Sequence, residues 1–184
     1  GRFEVAVNYF GRLVHLSNNK KEQYTAWSGL MESHYLLAQY DSADVYARII
    51  LEKGNINAGA VNKASLYLGK TAMARGDYET AKDEFLNTLN TARDEFGAEA
   101  KYLLAEIFYL SKDHKASNEN LFSLISDFAA YQEWVGRAFL LLADNYLAMG
   151  DNFQARATLK SIIDNNFPLI HIRDLAAEKL KKLD

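Results

Sequence analysis

Four histidines are the side chains best suited to acid–base or metal chemistry: His15, His34, His114 and His171. No two of them stand three or four residues apart, the spacing that puts a pair of imidazoles on one helix face. The chain has no cysteine, which removes disulfides, thiolate zinc sites and thiol nucleophiles. Ser17-Asn18-Asn19-Lys20 has the spacing of a serine nucleophile with a lysine base, but no supporting motif follows it. Gly54-Asn55-Ile56-Asn57-Ala58-Gly59 is glycine-rich. It lacks the preceding strand and the Lys-Ser/Thr of a phosphate loop, so it is expected as a turn. Asp41 and Asp44 fall at an expected helix start, where carboxylates cap amides and favour the dipole. His34 is expected to be packed or partly exposed, and His114 to lie solvated in a turn. These residues offer no catalytic group, no cofactor site and no metal site. The expectation is a chain that is not an enzyme.

Composition narrows the class further. Of 184 residues, 49% are apolar and 24% charged, with a net charge of -3. That apolar share suits a continuous core. No clustered basic surface points to nucleic acid. No apolar run approaches the length of a membrane-spanning helix. One proline, Pro168, and little alternating β-branched sequence make helix the default. The fold class expected is all-α.

The elements come from self-similarity, which decides the architecture of a repeat chain. Gly1-Arg2-Phe3-Glu4-Val5-Ala6, with Phe10 four residues on, matches Gly76-Asp77-Tyr78-Glu79-Thr80-Ala81, with Phe85 four residues on. Looser copies are Gln39-Tyr40-Asp41-Ser42-Ala43, Lys112-Asp113-His114-Lys115-Ala116 and Gly150-Asp151-Asn152-Phe153-Gln154-Ala155. The alanines at 6, 43, 81, 116 and 155 are spaced by 37, 38, 35 and 39 residues. In this register the third copy is one residue short, and Asn120 stands where the others have a large apolar residue. A second column runs through Trp27-Ser28-Gly29-Leu30-Met31, Ser65-Leu66-Tyr67-Leu68-Gly69, Lys101-Tyr102-Leu103-Leu104-Ala105 and Phe139-Leu140-Leu141-Leu142-Ala143.

Packing explains the columns. Antiparallel helices approach closely only where a small residue meets a large one. Gly69, Ala105 and Ala143 supply the small side on first helices, and Ala43, Ala81, Ala116 and Ala155 on second helices. Gly76-Asp77 and Gly150-Asp151 end one helix and cap the next. The layout expected is a lone second helix over 1–16, hairpins over 21–53, 58–93, 97–128 and 131–165, and a terminal capping helix over 169–183. In that last helix Ile172, Leu175, Ala176, Leu180 and Leu183 face inward, and Lys179, Lys181 and Lys182 face solvent. The first helix lacks a partner helix, so at least one hairpin is expected upstream, with self-association through that face as an alternative.

These columns resemble the tetratricopeptide repeat, which reads Trp-x2-Leu-Gly-x2-Tyr, then Ala-x3-Phe, then Pro. The fourth copy carries the resemblance best, through Phe139, Leu142, Ala143, Tyr146, Ala155, Leu159 and Pro168. The resemblance implies a single array over 1–184, a solenoid of antiparallel hairpins in a right-handed α–α superhelix. It also implies a concave groove lined by fixed positions of the first helices. Carried over, these are Thr25, Ser28, Glu32, Tyr35 and Leu36; Lys63, Leu66, Lys70 and Met73; Glu99, Tyr102, Glu106, Tyr109 and Leu110; and Arg137, Leu140, Asp144 and Leu147. Glu32, Lys70, Glu106 and Asp144 share the ninth helix position, and three of them are acidic. That pattern does not suit the clamping of a terminal carboxylate; a segment with apolar anchors and some basic residues fits it. Trp134, with Tyr131 and Phe128, either anchors a partner or fills a seam between hairpins. The implied function is a scaffold that binds a protein or peptide. A spacer module, or the recruiting arm of an enzyme whose catalytic domain lies elsewhere, are the alternatives. The hairpins longer than 34 residues and the Gly-Asp-Tyr-Glu-Thr-Ala type of turn also resemble those of bacterial cell-envelope members, which makes the bacterial cell envelope or periplasm the preferred compartment.

Overall fold

The computed structural model describes residues 1–53 and 58–183. Among them are ten helices and no strand. They are α1 (Arg2–Leu16), α2 (Lys20–Leu36), α3 (Tyr40–Lys53), α4 (Ala58–Ala74), α5 (Tyr78–Thr91), α6 (Glu95–Leu110), α7 (His114–Asp127), α8 (Gln132–Ala148), α9 (Asn152–Asp164) and α10 (Ile170–Lys181). Residues 54–57 of the glycine-rich stretch lie outside the described residues, and Ala58 and Gly59 open α4 rather than continue a turn. The helices divide between two compact units, Gly1–Ala92 and Arg93–Asp184.

Local chemistry sets the helix ends. Asn19, Asp77, Asp94, Asp113 and Asp151 each accept a hydrogen bond from a backbone amide of the helix that follows. This satisfies donors that have no partner within the helix. Five turns follow one pattern. At α2–α3, Ala38 N donates to Tyr35 O and Gln39 N to His34 O; at α4–α5, Gly76 N donates to Met73 O and Asp77 N to Ala72 O. The turns after α6, α8 and α9 repeat it at Lys112–Asp113, Gly150–Asp151 and Asn166–Phe167. The pattern needs a left-handed residue at its apex. Gly76 (φ 78°) and Gly150 (φ 80°) adopt that conformation freely, whereas Ala38 (φ 55°) and Lys112 (φ 62°) hold it against the steric cost of a Cβ.

Each unit buries its own core. In the first, Trp27, Met31, Ala47, Ile50, Ala60, Ala64 and Leu68 pack together. Phe85 of α5 is wholly buried against Gly69 of α4. In the second, Ala105, Leu121, Leu124, Ala138, Leu141 and Leu142 form one cluster. Leu140, Ala143, Leu159, Ile162, Ile172 and Ala176 form another.

The third hairpin corrects the register expected from its alanine. Ala81 and Ala155, both wholly buried, stand four residues after the capping Asp77 and Asp151. Four residues after the capping Asp113 stands Ser117, not Ala116. Ser117 is wholly buried, while Ala116 is only half-buried. Its hydroxyl is satisfied by donating to Ala105 O at 2.8 Å. Leu121, four residues further on, is wholly buried as Phe85 and Leu159 are. No residue is missing, and the large apolar slot holds Leu121 rather than Asn120. Ser117→Leu is therefore expected to cost about 1–3 kcal/mol by overpacking, and Ala116→Leu less than about 1 kcal/mol. Urea denaturation of the two variants checks this; equal costs would sink the register.

Candidate partner-binding site

Within the first unit, the expected lining residues engage one another. Lys63 Nζ of α4 donates to Glu32 Oε1 of α2 at 2.5 Å. Ser28 Oγ donates to the same oxygen at 3.1 Å. The Lys70 ammonium lies 5.1 Å from the Tyr35 ring centroid and 4.7 Å from that of Tyr67. Tyr35 in turn meets Tyr67 edge-on at 5.4 Å. Such cation–π contacts hold side chains in place at modest energy. Met73 is half-buried, but Leu66 is wholly buried in the core and has no surface to offer a ligand.

Asp41 and Asp44 are not the caps expected of them. Arg75 Nη2 donates to Asp41 Oδ1 at 2.8 Å and Arg75 Nη1 to Asp44 Oδ2 at 2.9 Å. Thr71 Oγ1 donates to the other oxygen of Asp44. Burial alone would lower the Arg75 pKa, but the two carboxylates raise it above the ordinary value. The arrangement clips α3 to α4.

The second unit brings four of the expected residues around one hollow. Tyr102 of α6, Arg137, Leu140 and Asp144 of α8 line it. They are joined by Glu133 and Leu141 of α8 and by His171, Ile172, Leu175 and Lys179 of α10. The hollow has a volume of about 280 Å³, which lies below the range of cofactor-sized pockets and suits a single large side chain. Its floor is aliphatic. Its rim is charged and internally paired. Arg137 Nε donates to Glu133 Oε1 at 2.7 Å, and His171 Nε2 stands 2.8 Å from Glu133 Oε2. Lys179 Nζ donates to Asp144 Oδ1 at 2.6 Å and Oδ2 at 2.9 Å. Lys179 therefore does not lie on the solvated face of a capping helix; it completes the rim. Leu175, expected to face inward, is 44% exposed at the hollow.

Electrostatics separate these groups. Burial would raise the Glu133 carboxyl, but hydrogen bonds from Arg137 and His171 hold it below the usual range. Burial pushes the Tyr102 hydroxyl well above its ordinary value, and the charge of Glu106 adds to this. Glu106 itself is pushed up by burial, which Arg137 offsets only in part.

Tyr102 also packs on Trp134, with centroids 5.6 Å apart. Trp134 thereby fills the seam between α6 and α8, and the Arg137 guanidinium lies 5.2 Å from its ring centroid. Tyr109 meets the His114 ring at 5.5 Å. His114 is half-buried at the start of α7, not solvated in a turn. Its Nδ1 stands 2.9 Å from Asn145 Oδ1. Among the described residues, no three His, Asp or Glu side chains gather into a group that could hold a metal ion. Among them, too, no helix is long and apolar enough to cross a membrane.

Stacked antiparallel helical hairpins, with side chains of neighbouring first helices meeting at a hollow, define a helical repeat protein of the solenoid class. The tetratricopeptide repeat matches residues 66–117 and, separately, 137–168. The chain therefore carries tetratricopeptide repeats over these two stretches. No curated protein matches the sequence. Its fold is shared with TTC0263, a thermophilic TPR protein of Thermus thermophilus, at TM-score 0.64 and 18% identity over 98% of this chain and 91% of that one. Two crystal structures of MamA are also similar. One has TM-score 0.60 at 20% identity, covering 89% of this chain and 91% of that one. The other has TM-score 0.58 at 21% identity, covering 84% and 92%. Repeats of this family make the chain a protein–protein interaction scaffold in the general sense.

Proposed function

We propose that the scaffold holds a peptide or protein segment against the second unit, with one apolar side chain of that segment seated in the hollow between α6, α8 and α10. The observation that carries this reading is the aliphatic floor of Leu140, Leu141, Ile172 and Leu175 beneath a rim of fixed charges. An apolar floor contributes affinity through burial, and a polar rim orients the segment and excludes water. The ion pairs of the rim pre-order its side chains, which lowers the entropic cost of binding.

Affinity capture from the source cell, with the wild-type chain beside Leu175→Glu, tests the reading. Leu175 is exposed enough for the substitution to leave the fold intact, and circular dichroism verifies that. A partner captured by the wild type and weakened at least about tenfold by the variant is the expected result, since a carboxylate on the floor would face buried apolar surface. Equal capture by both proteins would move binding away from the hollow. No capture would favour a spacer or self-association role.

A further inference from the structure

Glu32, Glu106 and Asp144 occupy the same position of three first helices, yet only two of them are paired. Glu32 receives Lys63, and Asp144 receives Lys179. No hydrogen bond or ion pair engages Glu106 among the described residues. The cation placed to serve it is Arg137, which lies 31 residues further along, as Lys63 does from Glu32. Arg137 turns elsewhere: its Nε donates to Glu133, and its guanidinium lies over Trp134. Glu106 is thus a half-buried carboxylate whose nearest counter-charge is committed to another acid. It stands one helical turn beyond Tyr102, on the same face of α6. Tyr102 lines the hollow, and the charge of Glu106 reaches its hydroxyl.

An unpaired carboxylate held out of water is costly, and the cost is relieved by a hydrogen-bonded cation. Burial keeps the Glu106 carboxyl above its ordinary range, the direction expected of an acid without a partner. The hollow, whose lining begins at Tyr102 one helical turn from Glu106, has an aliphatic floor that calls for an apolar group, so the two features together specify neighbouring charge and grease on one ligand.

We infer that Glu106 receives a lysine or arginine side chain of the bound segment, while a neighbouring large apolar side chain of that segment fills the hollow above Leu140 and Leu175. This rests on the binding role proposed above for the hollow. It adds a chemical class of partner: a basic–apolar segment, not an acidic one and not a terminal carboxylate.

The test is selection of a phage-displayed random dodecapeptide library in parallel on the wild-type chain, Glu106→Gln and Leu175→Glu, each verified as folded by circular dichroism. The wild type is expected to enrich peptides with Lys or Arg within two residues of Leu, Met or Phe. Glu106→Gln is expected to keep the apolar preference and lose the basic one. A synthetic enriched peptide should bind Glu106→Gln at least about tenfold more weakly than wild type. Replacing its basic residue with glutamine should weaken binding to wild type but not to Glu106→Gln. Peptides that show no basic preference, or that bind wild type and Glu106→Gln equally, would overturn the assignment of Glu106. The hollow would still stand as the docking site if Leu175→Glu abolished their binding. Enrichment that survives Leu175→Glu, or no enrichment on the wild type, would overturn the docking role of the hollow and the Glu106 assignment with it.

Discussion

Phe85→Ala is expected to lower the unfolding free energy by about 3–5 kcal/mol. Phe85 is wholly buried, and its ring fills the space left by the missing side chain of Gly69. A Cβ built on Gly69 would lie 2.5 Å from the ring, closer than any real contact. That closeness explains why glycine stands inside α4 although it costs about 1 kcal/mol relative to alanine in a helix interior. The ring sets the separation of α4 and α5. Truncation removes its transfer free energy and leaves a cavity that two facing helix backbones cannot close. Equilibrium denaturation in guanidinium chloride measures the loss. A cost under about 1 kcal/mol would mean that the ring is not the spacer of this hairpin.

Asn145→Ala is expected to cost about 2–4 kcal/mol, by combining a small cavity with a broken polar network. Asn145 is wholly buried, between α7 and α8. Ser117 Oγ has one hydrogen and donates it to Ala105 O. It must therefore accept from Asn145 Nδ2, which stands 2.8 Å away. Asn145 Oδ1 then faces His114, so the imidazole carries its proton on Nδ1. Alanine would leave that N–H without its acceptor and would strip Ser117 of its donor. Thermal denaturation of Asn145→Ala beside His114→Ala and the double variant measures the coupling. If the two single losses simply add, the His114–Asn145 bond contributes nothing to stability.

The all-helical repeat is legible in the sequence because its causes are local. The caps, the turn glycines and the alternation of small with large residues all lie within a few positions of what they control. The third hairpin misleads when its register is aligned on alanine identity. A serine can occupy the same small slot once its hydroxyl finds a carbonyl, as Ser117 does. The signal that finds it is Asp113, since each capping aspartate stands four residues before the buried small residue. The roles of Asp41, Asp44 and His114 are not legible, because their partners Arg75 and Asn145 lie about a repeat away and only packing brings them together. The hollow is half legible. Repeat position places Tyr102, Arg137, Leu140 and Asp144 on one lining. The contributions of His171, Leu175 and Lys179 stay hidden as long as α10 is treated as an inert cap, although a terminal helix stacks on α8 and inherits its inner face. The position of Glu106 follows from the repeat, but its lack of a counter-ion does not, because that depends on which rotamer Arg137 adopts.

The cross-helix ion pairs and hydrogen bonds have a further consequence, for kinetics. Thr71 and Asp44 are 27 residues apart, His171 and Glu133 are 38 apart, and the ion pairs from Lys63, Arg75 and Lys179 fall between. Their sequence separation therefore stays near one repeat however long the array is. Loop-closure entropy grows with the logarithm of loop length, so it stays nearly constant from one hairpin to the next. Folding within either unit can nucleate at whichever hairpin closes first and then advance by adding a neighbour, one helix at a time. The time needed to form a hairpin is then set by the hairpin and not by the number of repeats. Lengthening such an array by duplication would add surface for partners without slowing the first step of folding.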